Sequence, residues 1–371
     1  MRKILFIDNT AHHLYGQLHL MHAFKVSGYL VEVVVPNDDN YYQQISKLGF
    51  RCHLINIDGK GRNPVVDLKL IKQLKCYFKV IKPDLICSFT IKPNLYAAIA
   101  ARFLNIPVIA GVTGLGTVFL KRNLLNYLSV KLYKFAFRKI GCVFFQNQDD
   151  KSAFDLLGIT EYARYSITLP GDGVDLKKFS YVGLVASPVI KFIFSGRLLF
   201  DKGLGELIHA MREVRKKYPT TTLKVMGNYF LANPSGISEN QINSWINEGI
   251  IEYLGMIDNV FEVVSLVDCI ILPSYREGMP RSLLEASSMG KPIITVDSIG
   301  CKDAVTDGVT GYMAKVKDVD SLAAAMIKFI ELPFDKKVEM GINGRRKMER
   351  EFDQKIVIDK YLEISQKLLS R

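Results

Sequence analysis

Two glutamates, Glu277 and Glu285, stand eight residues apart where a loop gives way to a helical segment. The stretch reads SYREGMPRSLLEASSMGKPIIT over residues 274–295, and Pro280 suits the first turn of that helix. Carboxylates accept hydrogen bonds from sugar hydroxyls. An acid near a helix N-terminus is also stabilised by the helix dipole alone. For either glutamate by itself the dipole is the simpler explanation, so the rest of the chain must decide about the pair.

Two cations, Arg197 and Lys202, follow a predicted strand in the segment FSGRLLFDKGLGELIHAM (194–211). Arginine binds phosphate through two parallel hydrogen bonds, and lysine binds it as a point charge. Ligands of open α/β sheets bind at the carboxyl ends of the strands, so we expect the cations and the glutamates at one sheet edge. Cations for a diphosphate and carboxylates for sugar hydroxyls together predict a nucleotide-sugar site.

The elements that must position these groups are short apolar runs that alternate with helical patterns. This is the βαβ pattern of a parallel sheet wrapped by helices. The predicted strands of the first half lie within residues 3–7, 31–36, 84–89, 107–112 and 142–147. The pattern restarts in the second half, within residues 189–196, 222–227, 250–255, 269–274 and 292–297.

A chain of 371 residues is expected to form two domains. Residues 1–168 and 189–350 are predicted to be two Rossmann-like domains. Between them, residues 169–188 are rich in Gly and Pro and lack a helical or strand period, which is typical of a linker. Residues 351–371 are predicted to form a C-terminal helix that returns to the first domain.

The composition is that of a globular protein, with 49% hydrophobic and 23% charged residues. The six cysteines are scattered without a C-x-x-C pair, which argues against a zinc ribbon or a disulfide framework and fits a reducing cytoplasm. The opening residues contain four consecutive apolar positions, too few for a signal peptide. The most apolar stretch, residues 95–116, is interrupted by Arg102, Asn105 and Pro107. We therefore expect a cytoplasmic protein without a membrane-spanning helix.

The net charge of +12 is concentrated in the first half of the chain. Residues 1–165 hold 22 basic and 11 acidic residues, whereas the remainder holds 27 and 26. The densest basic segments are residues 60–82 and 121–139, and in the second one Leu, Tyr and Phe are interleaved with the cations. That pattern fits a helix on an anionic membrane surface. It fits equally a solvated helix face that packs its apolar stripe on a sheet. No nucleic-acid-binding motif accompanies the charge, so nucleic acid is not expected as a partner.

The combination of Gly196-Arg197, Lys202, the E-x7-E segment and the linker PGDGVDLKKF resembles the retaining GT-B glycosyltransferases of family 4. Residues 88–119 are similar to a narrower bacterial branch that builds O-antigen, capsule and N-glycan precursors on undecaprenyl diphosphate. That branch includes the lipid-linked α-1,3-N-acetylgalactosaminyltransferases. The resemblance covers essentially the whole chain. It implies a GT-B fold, in which two Rossmann-like α/β domains face each other across a cleft.

The resemblance also implies roles for individual residues in donor binding. Arg197 and Lys202 would hold the donor diphosphate, and with Glu277 they form the implied catalytic set. Glu277 would bind the donor sugar's hydroxyls and Glu285 the ribose hydroxyls, while the helix N-terminus would face the phosphates. Gly16 would let the backbone approach the β-phosphate. The full implied donor-site set is Gly16, Gly196, Arg197, Lys202, Glu277, Gly278, Met279 and Glu285.

Candidates for the acceptor site or the cleft are Lys92, Asn94 and Thr113. Many relatives place a histidine just before the Lys-Pro-Asn segment, where this chain has Ile91, which puts a histidine role at that position in doubt.

No metal site is predicted. His19 and His22 are spaced i, i+3, but no carboxylate or cysteine stands at ligand spacing. The DVD at 318–320 matches the D-x-D of metal-dependent transferases, yet it opens a helical segment, which makes Asp320 a predicted helix N-cap.

The implied function is a metal-independent, cofactor-free, retaining transfer of GalNAc or GlcNAc from a UDP-sugar to an undecaprenyl-diphosphate-linked saccharide. The protein would be peripheral on the inner face of the bacterial plasma membrane. Front-face attack is implied, with a donor phosphate oxygen helping to accept the acceptor's proton. Alternatives are a GDP-sugar or UDP-hexose donor, and a UDP-sugar epimerase on the same fold. An epimerase would need His and carboxylate acid–base groups, which are scarce here. A non-enzymatic membrane scaffold would leave the two glutamates unexplained.

Overall fold

The computed structural model describes residues 1–37, 41–55, 57, 63–115 and 124–370, with the side chains of 124 and 125 left out. The chain divides into an N-terminal unit, Met1–Asp172 with Lys355–Arg371, and a C-terminal unit, Gly173–Gln354. Val174 and Phe179 fall inside the predicted linker, yet both are buried in the core of the C-terminal unit. Most of that segment therefore belongs to the C-terminal unit, because its apolar side chains are needed there to fill the core.

The N-terminal unit is built on a parallel sheet that, in the described residues, has seven strands in the order β3-β2-β1-β4-β5-β6-β7. The strands are β1 (Lys3–Ile7), β2 (Leu30–Val35), β3 (Arg51–Leu54), β4 (Leu85–Phe89), β5 (Val108–Val112), β6 (Cys142–Phe145) and β7 (Tyr165–Thr168). In register, Ile4 of β1 pairs with Val31 of β2 on one side and with Leu85 of β4 on the other. The strand order reverses between β1 and β4, which makes that junction the switch point of the sheet.

Helices alternate with these strands along the chain. Those described before Asp172 are α1 (Ala11–Tyr15), α2 (Leu18–Val26), α3 (Tyr41–Lys47), α4 (Pro64–Ile81), α5 (Ile91–Arg102), α6 (Leu124–Phe137) and α7 (Gln148–Leu156). The start of helix α4 is fixed by its N-cap. The Asn63 side chain accepts a hydrogen bond from the Val65 amide, and Pro64 occupies the first turn.

The C-terminal unit repeats the same design with a parallel sheet of six strands in the order β10-β9-β8-β11-β12-β13. The strands are β8 (Lys191–Ser195), β9 (Thr222–Met226), β10 (Glu252–Gly255), β11 (Cys269–Leu272), β12 (Ile293–Val296) and β13 (Gly311–Ala314). The helices are α8 (Leu204–Lys217), α9 (Glu239–Asn247), α10 (Val260–Ser265), α11 (Arg281–Ser288), α12 (Val319–Glu331) and α13 (Phe334–Glu351). Here the switch point lies between β8 and β11.

The last helix, α14 (Gln354–Leu369), packs on the N-terminal sheet. The Tyr361 ring lies 4.4 Å from Phe144 and 6.4 Å from Phe89, measured between ring centroids. Gly141 leaves room for Leu368, since a Cβ there would lie 2.8 Å from its methyl group. The chain therefore crosses back to its first unit and covers apolar surface of the sheet.

The predicted fold class, two parallel-sheet Rossmann-like α/β domains, is confirmed, and each of the ten predicted strand runs contains a strand. Three of the described strands were not predicted. Two of them, β3 and β7, are sheet edges whose residues are half-buried or exposed, so they lack the continuous apolar run of a central strand. Within the described part of the chain, no helix combines the length and apolarity that crossing a bilayer requires.

Candidate active site

The loops after β8 and β11 meet at the switch point of the C-terminal sheet. Gly203 has a φ of +73°, and a Cβ at this position would lie 2.1 Å from the carbonyl oxygen of Pro273. Only glycine allows this approach. The Tyr275 amide then donates a hydrogen bond to the carbonyl of Asp201 at 2.9 Å. The backbone contact holds Lys202 against the loop that carries Glu277.

Lys202 and Glu277 are brought together by this packing. The Lys202 ammonium contacts Oε1 of Glu277, and the two side chains are only 15% and 14% exposed. The loop after β12 supports Glu277 from the other side, because the Glu277 amide donates to the Ile299 carbonyl at 3.0 Å. Gly300, with a φ of +81°, permits this contact, since a Cβ there would lie 2.5 Å from the Glu277 carbonyl oxygen. Three neighbouring strand ends of the sheet therefore fix one lysine–carboxylate pair.

Arg197 lies in the same loop as Lys202, and its side chain is exposed. Its guanidinium carbon is 5.1 Å from the centre of the Phe230 ring, a cation–π distance that orients the group without neutralising it. Among the described residues, no carboxylate forms an ion pair with Arg197. The amide of the neighbouring Gly196 donates to the Met226 carbonyl at 3.1 Å. The site thus contains a second cation whose charge is available to a ligand.

Glu285 lies on the second turn of α11, which begins after Pro280. Its carboxylate is 15% exposed and lies 3.8 Å from the Arg281 guanidinium. Burial raises the pKa of the Glu285 carboxyl, while the charges of Arg281 and Lys178 oppose that shift. A largely buried acid with one long-range partner is costly unless something hydrogen-bonds to it. Ligand hydroxyls would supply such hydrogen bonds.

Tyr275 is a supporting residue that the sequence did not single out. Its hydroxyl donates to Oε1 of Glu206 at 2.5 Å, and the Lys317 ammonium lies 4.4 Å from its ring centre. Burial is the largest cause that raises the pKa of the Tyr275 phenol, and the nearby carboxylates of Glu206 and Asp201 raise it further. The phenol therefore stays a neutral donor and ties the Glu277 loop to α8. Its only signal in the sequence is its place directly before Arg276 and Glu277.

The predicted donor residues divide between the two units. Gly196, Arg197, Lys202, Glu277, Gly278, Met279 and Glu285 all belong to the C-terminal unit, and of these the described contacts join Lys202 directly to Glu277. Gly16 belongs to the N-terminal unit, where it follows α1 with an ordinary helical φ of −62°. The ligand roles of these residues remain predictions.

The three acceptor candidates differ in how available they are. Lys92 forms an ion pair with Asp67 at 2.9 Å, and Thr113 is half-buried just after β5. Asn94 is 1% exposed, and its side chain accepts a hydrogen bond from Ser88 Oγ at 2.8 Å and donates to the Gly111 carbonyl at 2.8 Å. An acceptor role does not fit that burial, because both ends of the amide are used to hold α5 against β4 and β5.

The predicted helix cap at the DVD segment is wrong by two residues. Asp318, not Asp320, is the N-cap of α12, and its carboxylate accepts a hydrogen bond from the Ser321 amide at 2.9 Å. Asp320 lies in the first turn, where it interacts favourably with the helix dipole. In the part of the chain that the structure describes, no three His, Cys, Asp or Glu side chains cluster as metal ligands do.

Two family models match successive parts of the chain. Residues 3–147 match the model described as glycosyl transferase 4-like, and residues 184–347 match the model described as glycosyl transferases group 1. The chain is 28% identical to the N,N'-diacetylbacillosaminyl-diphospho-undecaprenol alpha-1,3-N-acetylgalactosaminyltransferase of Campylobacter jejuni, over 99% of each chain. It is 24% identical to the UDP-Gal:alpha-D-GlcNAc-diphosphoundecaprenol alpha-1,3-galactosyltransferase of Escherichia coli, over 80% of this chain and 78% of that one.

The fold is also shared with solved structures. HepE of Anabaena, in a complex with UDP and glucose, superposes with a TM-score of 0.79 at 20% identity over the whole of both chains. The same fold and family are indicated by the two parallel sheets, by the two family matches and by the full-length similarity. The chain belongs to the GT-B glycosyltransferases of the group 1 and 4-like families.

Proposed function

We propose that this protein transfers a sugar, GalNAc or GlcNAc, from a UDP-sugar to a saccharide on undecaprenyl diphosphate, with retention of configuration. The observation that carries the proposal is the Lys202–Glu277 contact at the switch point of the C-terminal sheet. Arg197 lies in the same loop as Lys202, and Glu285 lies in the helix that follows the Glu277 loop. Two cations and two carboxylates in one unit match the two phosphates and the two sugar rings of a nucleotide-sugar.

The diphosphate is the part that the cations would bind. A lysine ammonium has three donors, so Lys202 can contact Glu277 and still donate to phosphate oxygens. Arg197, stacked on Phe230, adds a guanidinium that can bind two oxygens at once. When the bond between the sugar and the diphosphate breaks, negative charge develops on the leaving oxygen, and preplaced cations stabilise it most at that moment. Arg197 and Lys202 would supply this stabilisation without a metal ion.

The sugars are the parts that the carboxylates would bind. Glu277 would accept hydrogen bonds from the donor sugar's hydroxyls beside the backbone of Gly278 and Met279. Glu285, already largely buried, would accept them from the ribose. No protein side chain is required as a nucleophile, because the acceptor oxygen would bond to the sugar on the same face from which the diphosphate leaves. A donor phosphate oxygen would take the acceptor's proton.

The choice of donor and acceptor rests on the relatives. One transfers N-acetylgalactosamine to a diphospho-undecaprenol saccharide and another transfers galactose from UDP-galactose to a diphosphoundecaprenol saccharide, as their names state. An acceptor with a long polyprenyl chain resides in a membrane, so the enzyme is proposed to act on the cytoplasmic face of the bacterial plasma membrane.

Helix α6 presents a surface suited to that membrane. Its buried face packs Tyr133 and Phe137 into the core, as a solvated helix would. Its outer face also exposes apolar side chains, with Tyr127 55%, Leu128 53% and Phe135 50% exposed. Exposed rings and chains beside cations are the composition of a helix that lies in the headgroup region of an anionic bilayer.

Cation–π contacts arrange the charges around these rings. Lys131 lies 4.4 Å from the Tyr127 ring, and the Arg102 guanidinium lies 4.3 Å from Phe135. Lys75 of α4 lies 4.7 Å from the exposed ring of Phe103. The two predicted basic segments, 60–82 and 121–139, thereby contribute to one unit's surface. Residues 60–62 and 121–123 of these segments lie outside the described residues.

The proposal is tested by incubating the purified protein with a panel of UDP- and GDP-sugars and undecaprenyl-diphosphate-linked N-acetylhexosamine. Transfer from UDP-GalNAc or UDP-GlcNAc to the lipid, with an α-linkage by NMR, is the expected result. Transfer only from a GDP-sugar or a UDP-hexose would replace the proposed donor. Conversion of the UDP-sugar to its epimer without lipid product would replace the proposed reaction.

A further inference from the structure

A groove of about 660 Å³ lies along the amino ends of the strands of the N-terminal sheet. The residues that line it stand before strands β1, β4, β5, β6 and β7, in the turns that end α5 and α6, and at the end of α14. All of them belong to the N-terminal unit. Substrates of open α/β sheets bind at the carboxyl ends of the strands, so this groove is separate from the sites of the transfer reaction.

The charge of the groove is strongly positive. Its cations are Arg2, Arg102, Lys139 and Arg164. Among the described residues that line it, Asp84 is the one carboxylate, and its Oδ2 accepts a hydrogen bond from the Lys3 amide at 2.6 Å. Within the described part of the chain, none of the four cations has a carboxylate within ion-pair distance. A concave surface lined by one sign of charge concentrates counter-ions, so the groove attracts anions.

Helix dipoles account for only part of this charge. Arg102 ends α5 and Lys139 follows α6, where a helix C-terminus stabilises a cation without any ligand. Arg2 and Arg164 precede strands, so a helix dipole does not explain them. Lys139 also has a φ of +70°, at a position after a helix that glycine usually occupies. A cation is therefore retained there although the backbone favours glycine.

Apolar groups also line the groove. Leu368 and Leu369, each 8% exposed, come from the end of α14, and Ile106 comes from the turn after α5. Leu368 packs on Gly141 at the start of β6, so apolar surface lies between the strand ends that carry the outermost cations. Four strand spacings separate β1 from β7, which gives the groove a length of about 19 Å. A groove longer than a phosphate, with both cations and hydrocarbon along it, fits an amphiphile with an anionic head.

One end of the groove joins the exposed face of α6. Arg102 donates a hydrogen bond to the Phe135 carbonyl at 2.7 Å, and its guanidinium lies 4.3 Å from the centre of the Phe135 ring, which is 50% exposed. At the same end, the Arg164 amide donates to the Ile140 carbonyl at 3.1 Å, and Tyr162 is 56% exposed. Three of the four cations therefore lie beside the surface that is proposed to face the bilayer.

We propose that this groove binds an anionic phospholipid, with Arg102, Lys139 and Arg164 around its phosphate and the first acyl carbons on the apolar lining. The inference goes beyond the transfer reaction and rests on the proposed function only in placing the enzyme at a membrane. Arginine binds phosphate through two parallel hydrogen bonds, and lysine adds a point charge. The choline of phosphatidylcholine is a cation that the same side chains repel. A bound lipid would hold the unit in one orientation, which diffuse attraction by exposed lysines does not.

The test compares two kinds of anionic vesicle that have the same surface charge. One contains phosphatidylglycerol in phosphatidylcholine. The other contains cholesteryl hemisuccinate, a carboxylate lipid, in phosphatidylcholine, and both are adjusted to the same zeta potential. Diffuse attraction depends on surface charge and gives equal affinities for the two. A phosphate site should give the wild type a preference of about 10-fold for phosphatidylglycerol, measured by co-sedimentation at about 0.1 M salt.

The decisive variant combines Lys139→Gln with Arg164→Gln, which removes two cations from the groove. It should lose the preference and bind both vesicles with about the same affinity, because diffuse attraction alone remains. The matched control combines Lys131→Gln with Lys134→Gln, which removes the same charge from exposed positions of α6 outside the groove. The control should bind both vesicles more weakly and keep the preference. All four side chains are exposed, so thermal denaturation should show wild-type stability in both variants.

Soluble glycerol 1-phosphate and inorganic phosphate test the other source of the same chemistry. At concentrations up to that of the lipid they should leave vesicle binding almost unchanged, because they make no contact with the apolar lining. Displacement of the protein from phosphatidylglycerol vesicles by either compound at those concentrations would assign the groove to a soluble phosphate and overturn the lipid proposal.

The vesicle comparison can also overturn the inference. Equal wild-type affinities for the two vesicles, including no binding to either, would do so, and so would a preference that survives in the groove variant. Sugar transfer to a short water-soluble acceptor is measured in parallel with the same proteins. That rate reports on the proposed reaction and not on lipid binding, so each of the two proposals can fail while the other stands.

Discussion

The ammonium of Lys202 contacts Oε1 of Glu277, although 75 residues separate them in the chain. The lysine follows the first strand of the C-terminal sheet and the glutamate follows the fourth, and these two strands are neighbours at the switch point. Both side chains are mostly buried, so each charge is compensated by the other. The pair is the fixed point around which the proposed donor site is arranged.

Replacing each glutamate by alanine in turn should distinguish binding of the donor sugar from binding of the ribose. We expect Glu277→Ala to lower turnover by about 10²- to 10³-fold and to leave UDP affinity nearly intact, because Lys202 remains for the diphosphate. Glu285→Ala should instead lower the affinity for UDP, because this glutamate is proposed to bind the ribose. Calorimetric titration with UDP and steady-state rates measure the two effects, with the exposed Glu262→Ala as control. Loss of UDP binding in Glu277→Ala alone would reverse the two assignments.

Replacing Gly203 by alanine should destabilise the C-terminal unit. The added Cβ meets the Pro273 carbonyl at 2.1 Å and also has to adopt a φ of +73°. Gly308 has the same φ, and a Cβ added there would have nothing within 4 Å, so Gly308→Ala measures the backbone term alone. We expect about 1 kcal/mol for Gly308→Ala and at least about 2 kcal/mol more for Gly203→Ala. Urea unfolding gives both values, and equal losses would show that the two loops can separate freely.

The buried Lys291 should make a contribution to the free energy of unfolding that increases with pH in alkaline solution. It is 1% exposed, and its ammonium donates to the carbonyls of Gly183 at 2.6 Å and Ser265 at 2.9 Å. Burial lowers its pKa from 10.5 to about 8, and the charge of Asp268 opposes that shift. Between pH 8 and 10.5 the unfolded chain therefore binds more protons than the folded one, so this residue adds stability as the pH rises.

The measurement is the free energy of unfolding of the wild type and of Lys291→Met from about pH 7 to about pH 10. We expect the difference between them to shift in favour of the wild type by up to about 1.4 kcal/mol per pH unit above about pH 8. A difference that stays constant with pH would mean that the buried lysine keeps its ordinary pKa.

Neutralising the exposed cations of α6 and of the turn that follows it should reduce membrane binding. Substituting Lys131, Lys134, Arg138 and Lys139 by Gln removes four cations at about 1 kcal/mol each, so affinity for anionic liposomes should fall by about two to three decades. Wild-type binding should weaken with salt, because screening acts beyond about 10 Å at 0.1 M. The control carries four Gln substitutions on the C-terminal unit, at Lys216, Lys217, Lys336 and Arg350. Activity on a short water-soluble acceptor should change little, and unchanged liposome binding would place docking elsewhere.

Activity should survive treatment with EDTA, since Arg197 and Lys202 supply the positive charge at the leaving group. The measurement is the initial rate of sugar transfer after chelation and dialysis, compared with the same protein supplied with Mg²⁺ or Mn²⁺. Loss of activity that only a divalent ion restores would make Asp318 and Asp320 candidate ligands despite the helix cap that Asp318 forms.

The strands and the fold class follow from the sequence because central strands of a parallel sheet are buried on both faces. Such strands must be continuous apolar runs, and each of the ten runs contains a strand. The same reasoning accounts for two of the three strands that were missed, because β3 and β7 are sheet edges with half-buried or exposed residues and no such run. The sequence also predicts that the cations and carboxylates lie at one edge of the C-terminal sheet. The reason is that alternation of strand and helix brings the loops after the parallel strands to the same edge.

Only the tertiary structure decided which of these groups touch. The Lys202–Glu277 contact depends on a close approach of two loops that Gly203 permits, and no spacing in the sequence records that distance. The burial of Asn94 depends on its hydrogen bonds to Ser88 of β4 and to the Gly111 carbonyl of β5. Periodicity identifies elements because it repeats along the chain, whereas contacts between distant residues arise only when packing brings separate elements together.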